Sequence, residues 1–352
     1  MKVGMIGAGS ISANHLKSYA ANPNAEVVAI ADLNVDLAKA KAAEYNIPKY
    51  CADYKEILRD DTIEAVSIAT PTFTHCQIVL DALASGKHVL CEKPPVLNAE
   101  QAEQCAEAAI KSGRKLMYGF VRRFSPHIDY LMEFKEKGGF GEIYAAEASR
   151  ISRTTSLSGW FVDKTKSGGG VLMDAAIHEI DLALYLMGYP KPKSVIGATS
   201  YVNKDLPQRV KGLSSGWTSL DKQKCERTIE SVANGLVTFE NGASMIIRSG
   251  AIQYAFDIGP SVQLYGEKAG ARYAGWGHDA PTMVALDENG YMTEFKPAIT
   301  LKPDGFQLQI NHFVDGCLND KPFIVKPEHA VTLMSIISGI YKSAETGKPV
   351  TF

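Results

Sequence analysis

The sequence predicts an α/β protein: an N-terminal doubly wound parallel sheet, followed by an α+β domain with a large, mostly antiparallel open sheet. Three observations predict it. Short apolar segments alternate with helical patterns over the first 120 residues, the signature of a parallel sheet covered on both faces. The first segment runs directly into Gly7-Ala8-Gly9. Beyond about residue 124, helix gives way to β-rich sequence punctuated by Asn241-Gly242 and Asn289-Gly290, and Asn-Gly between alternating segments is a strong hairpin signal.

The elements follow in order. Strands are predicted at Lys2–Ile6, Glu26–Ala31, Ala65–Ala69, Lys87–Cys91 and Lys115–Phe120, with helices near 12–21, 35–45, 74–85 and 99–112. Gly86 and Gly113 stand just past the last two helices, where C-terminal caps fall. One long helical pattern covers Val171–Met187. Hairpins are predicted from Thr228–Glu240 with Ala243–Gly250 and from Thr282–Leu286 with Tyr291–Phe295. Residues from Asn203 to Cys225 are polar and lack periodicity, as in a long loop, and a last helix spans Pro327–Thr346. The predicted division is 1–122 and 123–352, with the last helix able to pack back on the first domain.

At 352 residues with 45% hydrophobic content, the chain has material for two cores. The net charge of −2 and the absence of charged runs argue against nucleic acid or a membrane surface as partner. No apolar stretch approaches a bilayer-spanning length, and no secretory segment precedes the first strand. Six cysteines (51, 76, 91, 105, 225 and 317) show neither CxxC nor zinc-like spacing. Free thiols, no metal and a cytoplasmic location are therefore expected.

Ligands of such sheets bind beyond the carboxyl ends of the strands. There Gly7, Ala8, Gly9, Ser10 and Ile11 form a turn suited to a pyrophosphate. Gly7 permits the tight turn, Gly9 a close backbone approach, and the following helix N-terminus offers N–H groups to an anion. The third fingerprint position carries Ser12 rather than glycine or alanine, which predicts looser helix packing. Asp32 ends the second strand about 20 residues on, where a carboxylate accepts from both ribose hydroxyls; its charge favours NAD over NADP, with NADP still possible. The less favoured alternative for Asp32 is a cap on the helix that begins near Val35.

Two segments could carry chemistry. Cys91-Glu92-Lys93-Pro94 follows the fourth strand; Lys93 there can donate to a substrate oxygen, or simply be a solvated lysine before a helix-initiating proline. In Gly168-Gly169-Gly170 to Asp181, the residues Asp174, His178, Asp181 and Tyr185 recur at helical spacing. A carboxylate four residues before an imidazole can orient it for proton transfer, and the same spacing also describes an ordinary solvated face. Trp160 and Phe161 could stack on a sugar, or anchor their loop.

Taken together, these segments resemble the glucose–fructose oxidoreductase, inositol dehydrogenase and rhizopine-catabolism (Gfo/Idh/MocA) family. The resemblance rests on Gly7-Ala8-Gly9, Ala69-Thr70-Pro71 with His75, Glu92-Lys93-Pro94, Gly119-Phe120 with Arg123-Phe124, Gly170…Asp174…His178…Asp181, and Ser343 through Pro349. It implies a Rossmann domain, an open-sheet domain that builds homodimers or homotetramers, and a substrate cleft between them. It also implies Lys93, Asp174 and His178 as catalytic residues, and Ala69, Thr70, Pro71, His75, Glu92 and Lys93 as a cofactor wall. Arg123, Trp160, Phe161, Asp174 and His178 are then the substrate-binding residues. The implied activity is NAD(P)-dependent hydride transfer at a secondary alcohol of a cyclic polyol or sugar. Transient oxidation coupled to elimination or hydrolysis, and a non-catalytic dinucleotide sensor, are the alternatives. Pro95 after Pro94 and Ala176 in place of a frequent glycine depart from the family pattern.

Overall fold

The computed structural model describes all residues except 154–156, 203–225, 252, 257–258, 276–281 and 301–303. The loop predicted over 203–225, with Cys225, lies outside the described residues. The chain forms two compact units, Met1–Phe124 with Pro303–Val331, and Ser125–Lys302 with Thr332–Phe352.

The first unit is built on β1 (Lys2–Ile6), β2 (Glu26–Ala31), β3 (Lys49–Cys51), β4 (Ala65–Ile68), β5 (His88–Cys91) and β6 (Leu116–Tyr118). All pairings are parallel, in the order β3-β2-β1-β4-β5-β6. Five strands were expected; β3 is the sixth, a three-residue edge strand too short and too exposed to show an apolar run. Val3, Met5, Ile30, Val66, Ile68, Val89 and Leu90 are fully buried. Each such side chain contributes about 1.5–3 kcal/mol over its exposed state.

The helices α1 (Ser12–Ala20), α2 (Val35–Tyr45), α4 (Thr72–Ala84) and α5 (Ala99–Ser112) match the sequence pattern; α3 (Tyr54–Leu58) was not foreseen. Asn34 and Asn98 cap α2 and α5 by accepting from Leu37 and Gln101 N–H groups, and Gly113 ends α5 at φ 64°. Strand order reverses between β1 and β4, the switch point where sheets of this type bind ligands. From the distal segment, α9 (Gly305–Leu318) packs on α1, with Gln307 donating to Ser18 O at 3.0 Å.

The second unit begins with α6 (Pro126–Glu136), β7 (Ile143–Ile151) and α7 (Lys164–Ser167). A π-turn over Leu172–Ala176 leads into α8 (Ile177–Met187). Next come β8 (Pro192–Ser200), β9 (Val232–Phe239), β10 (Ser244–Gly250), β11 (Gly259–Gly266), β12 (Ala269–Ala274), β13 (Thr282–Glu288) and β14 (Tyr291–Phe295). The chain closes with α10 (Pro327–Thr346), which crosses from the first unit to the second after Val331, and β15 (Val350–Thr351).

The nine strands run β14-β13-β12-β11-β7-β10-β9-β8-β15, antiparallel except β10 with β7. Asn289 (φ 56°) and Gly290 (φ 84°) form the left-handed pair that a tight two-residue hairpin requires. One register row across the sheet, Val195, Val237, Met245, Ala146, Leu264, Ala271 and Val284, is buried. Helix α8 covers β7 and β11. The neighbouring row includes Ile196, Leu236, Ile246 and Met283, all at least 40% exposed. The registers thus put the buried row on one face of the sheet and the exposed row on the other.

Candidate active site

In the first unit the glycine turn is tied to three strand ends. Gly7 has φ 99°, and a Cβ there would lie 2.5 Å from the Ala69 carbonyl oxygen and 3.0 Å from Thr70 N. Its glycine thus lets the exits of β1 and β4 meet at the switch point. Gly7 N donates to Ala31 O at 2.8 Å. Gly9 differs: a Cβ there would meet nothing within 4 Å. Its missing side chain leaves open space next to the N-terminus of α1. That terminus has no acidic residue in its first turn and no side-chain cap from Ile11. Open backbone and an uncompensated positive helix end suit a pyrophosphate.

Ser12 corrects an expectation. It is fully buried, and its hydroxyl donates to Gly9 O at 2.6 Å, so the serine closes the turn by hydrogen bonding instead of loosening it. Asp32 does more than foreseen. Oδ2 accepts from Ala8 N and Oδ1 from Asn34 N, each at 2.8 Å, so the carboxylate is aimed by two backbone groups. Two carboxylate oxygens offer about four acceptor sites, which leaves capacity for ribose hydroxyls. These residues fit a bound NAD.

Next to this turn, the loops after β4 and β5 are braced together. His75 is buried; Nδ1 lies 2.8 Å from Pro94 O and Nε2 2.9 Å from Thr70 O. Burial holds this imidazole below its usual pKa, against the pull of the two carbonyls. His75 thus supports the wall from behind. Glu92 likewise turns inward. Oε1 lies 2.8 Å from His15 Nε2, and Oε2 accepts from Lys93 N at 3.0 Å. Because a carboxylate only accepts, His15 Nε2 carries the proton; Nδ1 lies 2.8 Å from Ser67 Oγ. A Cβ at Gly119 would come within 2.9 Å of Glu92 Oε1, which explains that glycine. Sequence reading missed His15 and Ser67. Their only signal is a histidine on the buried face of α1, which also carries Ser12 and Ser18, and a serine inside β4. Lys93 itself is half-buried at the carboxyl end of β5.

Arg123, expected to bind substrate, lies deep in the first unit. It is fully buried; Nη1 donates to Ile324 O at 2.7 Å and to His329 Nδ1 at 3.0 Å, and the guanidinium lies 5.7 Å from the Phe120 ring centre. The guanidinium is thus held by groups of the first unit. His329 answers it: burial first, then the charges of Arg123 and Lys326, push its pKa down to about 3. The ring is therefore neutral and accepts at Nδ1.

In the second unit, Asp174 lies inside the π-turn and His178 is the second residue of α8; both are half-buried. Single-turn π segments recur at functional sites because they re-aim the side chains they carry. Asp181 is buried and accepts from Tyr189 Oη at 2.7 Å, so it leaves the polar face drawn for it from spacing. Trp160 and Phe161 stack on each other, with centroids 3.8 Å apart and planes at 24°. Phe161 also packs on Leu157, Val162 and Ile229. Among the described residues, no group of three or more His, Cys, Asp or Glu is placed to hold a metal ion, and no helix is long and apolar enough to cross a membrane.

A parallel sheet with a dinucleotide turn at its switch point defines an NAD-binding oxidoreductase domain, and the comparisons agree. Residues 1–120 match a model described as the NAD-binding Rossmann fold of an oxidoreductase family, and residues 136–352 match that family's C-terminal alpha/beta domain. The chain belongs to the Gfo/Idh/MocA oxidoreductase family. It is 30% identical to a D-glucoside 3-dehydrogenase of Escherichia coli K12, over 99% of this chain and 97% of that one. It is 36% identical to an inositol 2-dehydrogenase of Rhizobium meliloti, over 55% and 57%. A levoglucosan dehydrogenase solved with NADH and L-sorbose shares the fold at TM-score 0.85 and 21% identity, over 100% of this chain and 98% of that one.

Proposed function

We propose that this protein oxidises, reversibly, a secondary alcohol of a cyclic polyol or sugar, with NAD preferred over NADP. The observation that carries this is the placement of Lys93. It follows β5, one strand from the switch point, on a loop whose backbone is held by Glu92 and His75. The similarity to glucoside and inositol dehydrogenases supports the substrate class.

NAD, when bound, supplies the hydride acceptor, and the chain's residues do the rest. Gly7, Ala8, Gly9, Ser10 and Ile11 hold the pyrophosphate, and Asp32 holds the ribose and repels a 2′-phosphate. Ala69, Thr70 and Pro71 line the cofactor beside them. Lys93 donates to the substrate oxygen. His178 takes the hydroxyl proton as the C–H leaves as hydride, and Asp174 orients substrate and imidazole. Trp160 and Phe161 border the sugar. General acid–base help of this kind is worth about 10²–10⁴-fold. In this assignment residues 1–122 bind cofactor and 123–352 bind substrate. The exposed apolar row of the nine-stranded sheet seats a second copy of the chain, in the cytoplasm, and light scattering reads that assembly as a dimer or tetramer.

The test is a panel of inositols, aldoses and glycosides with NAD and NADP, followed at the NADH absorbance. Turnover with NAD on at least one polyol or sugar is expected. In His178→Ala, turnover falls about 10²–10⁴-fold while NAD affinity is retained. Tight NAD binding with no NADH from any compound overturns the assignment, as does unchanged turnover in His178→Ala at saturating substrate.

A further inference from the structure

Glu230 lies outside every motif considered so far. It sits just before β9 and is 1% exposed. Its carboxylate is directed at the glycine run that precedes the π-turn. Oε2 accepts from Gly170 N at 2.7 Å, and Oε1 accepts from Leu172 N at 3.1 Å and from Tyr341 Oη at 3.0 Å. The glycines follow from this contact. A Cβ on Gly170 would collide with the Glu230 carbonyl oxygen and come within 2.9 Å of its carboxyl carbon. A Cβ on Gly169 would collide with the Tyr341 hydroxyl. Gly169 and Gly170 are therefore explained by close packing against Glu230 and Tyr341.

Gly170 joins this clamp to the candidate site. Its N–H is held by Glu230, and its carbonyl accepts from Asp174 N at 2.9 Å. A carboxylate at a helix start also satisfies orphan N–H groups and complements the helix dipole. Burial raises the Glu230 pKa, while the Leu172 and Gly170 N–H groups and the Tyr341 hydroxyl pull it back. The Tyr341 phenol, pushed up by burial and by Glu230, stays protonated and donates.

What the clamp protects is a register. A π-turn holds one residue more than an α-turn, and one residue of helix is about 100° of rotation. Relaxation of Leu172–Ala176 to α-helix would swing Asp174 around the axis relative to His178.

We propose that Glu230, supported by Tyr341, is a positioning residue that holds the π-turn and so sets Asp174 relative to His178. This rests on the roles proposed above for those two residues. The step is testable with Glu230→Gln, which keeps the shape but loses the charge and one acceptor, and with Tyr341→Phe, which removes only the phenol donor.

Two readouts decide it. Hydrogen exchange of the full-length protein, read by mass spectrometry, should rise at least tenfold over residues 168–178 in Glu230→Gln, and less in Tyr341→Phe, with β1–β6 unchanged. On a compound that the wild type oxidises, kcat per folded molecule should fall about 10–100-fold in Glu230→Gln and about 3–10-fold in Tyr341→Phe. NAD affinity should hold, and the deuterium isotope effect from C-deuterated substrate should rise as hydride transfer becomes limiting. A merely structural role would lower the folded fraction without changing that isotope effect. Unchanged exchange over 168–178, or raised exchange with unchanged kcat, overturns the proposal. If the wild type oxidises no compound, the proposed function fails, and the exchange measurement alone still decides whether Glu230 holds the turn.

Discussion

Exchanging each turn glycine for alanine should separate folding from cofactor binding. At Gly9 the backbone is outside the left-handed region and a Cβ meets nothing within 4 Å. Gly9→Ala should therefore leave stability intact, or raise it by the roughly 0.4–1 kcal/mol gained when the unfolded chain loses freedom. The added methyl occupies the space into which the pyrophosphate must come, so NAD affinity should fall tenfold or more, about 1.4 kcal/mol per factor of ten. At Gly7 the situation is reversed. The φ of 99° costs an L-residue about 1–2 kcal/mol. The new Cβ, 2.5 Å from Ala69 O and 2.7 Å from its carbonyl carbon, faces backbone that cannot swing aside, for about 1–3 kcal/mol more. Gly7→Ala should thus lower Tm by about 2–4 °C for each kcal/mol lost. The assay is thermal unfolding with and without NAD, paired with calorimetric titration. At 100 times the wild-type Kd the ligand adds about 2.7 kcal/mol to the wild type, and about half of this increment or more should vanish in Gly9→Ala at the same concentration. Wild-type NAD affinity in Gly9→Ala would refute the placement of the pyrophosphate.

Three further expectations rest on buried polar groups. Arg123→Met should cost about 2–4 kcal/mol in denaturant unfolding, because it takes a charged donor from Ile324 O and from His329 Nδ1, which retains the Lys326 N–H; a tenfold rise in KM at unchanged stability would support a substrate role for Arg123. His329 has a pKa of about 3 in the fold against an ordinary value of about 6.5, so the stability it contributes is complete above 6.5 and is lost as pH falls from there toward 3. His329→Asn keeps an acceptor and cannot titrate, so urea midpoints between pH 7.5 and 5 should fall less steeply than in the wild type; equal slopes would show the group idle. Glu92→Gln should lower stability by about 1.5–3 kcal/mol, since the carboxylate serves both His15 and the Lys93 N–H; calorimetry showing a loss below about 0.5 kcal/mol would dismiss the pair.

Local chemistry was legible in the sequence, and long-range chemistry was not. The strands β1, β2 and β4 are apolar runs bounded by turn residues, the Asn289-Gly290 hairpin is specified by two adjacent residues, and Pro327–Thr346 is a periodic helix ended by Gly347. Each depends on neighbours within a few positions. Edge strand β3, with three residues and little burial, offers no periodicity to detect. Arg123 was visible, but its partners were not: Arg123 reaches His329 across 206 positions, His15 reaches Glu92 across 77, and Glu230 reaches Gly170 across 60. The π-turn was hidden for a related reason. Asp174 and His178 keep helical spacing in the sequence, while the carboxylate that accepts from the Gly170 and Leu172 N–H groups, Glu230, lies about 60 positions away.

These distant contacts share one physical property. Asp32, Glu92 and Glu230 each accept at least two protein donors, among them backbone N–H groups beside a candidate ligand position. A carboxylate aimed in this way has already met the entropic and desolvation costs of its position during folding, so it need not reorganise when charge develops nearby. The two roles then separate by residue. Lys93, Asp174 and His178, the groups proposed to meet a ligand, are half-buried. Glu92, which accepts from the Lys93 N–H, and Glu230, which accepts from the Gly170 and Leu172 N–H groups near Asp174, are almost fully buried, where low dielectric strengthens each hydrogen bond and makes an unpaired partner costly. Loss of an aiming residue should therefore appear both as reduced stability and as a lowered kcat, while loss of Lys93 or His178 should lower kcat alone. That difference, measured on the same preparations, is the physical test of which acids aim and which residues act.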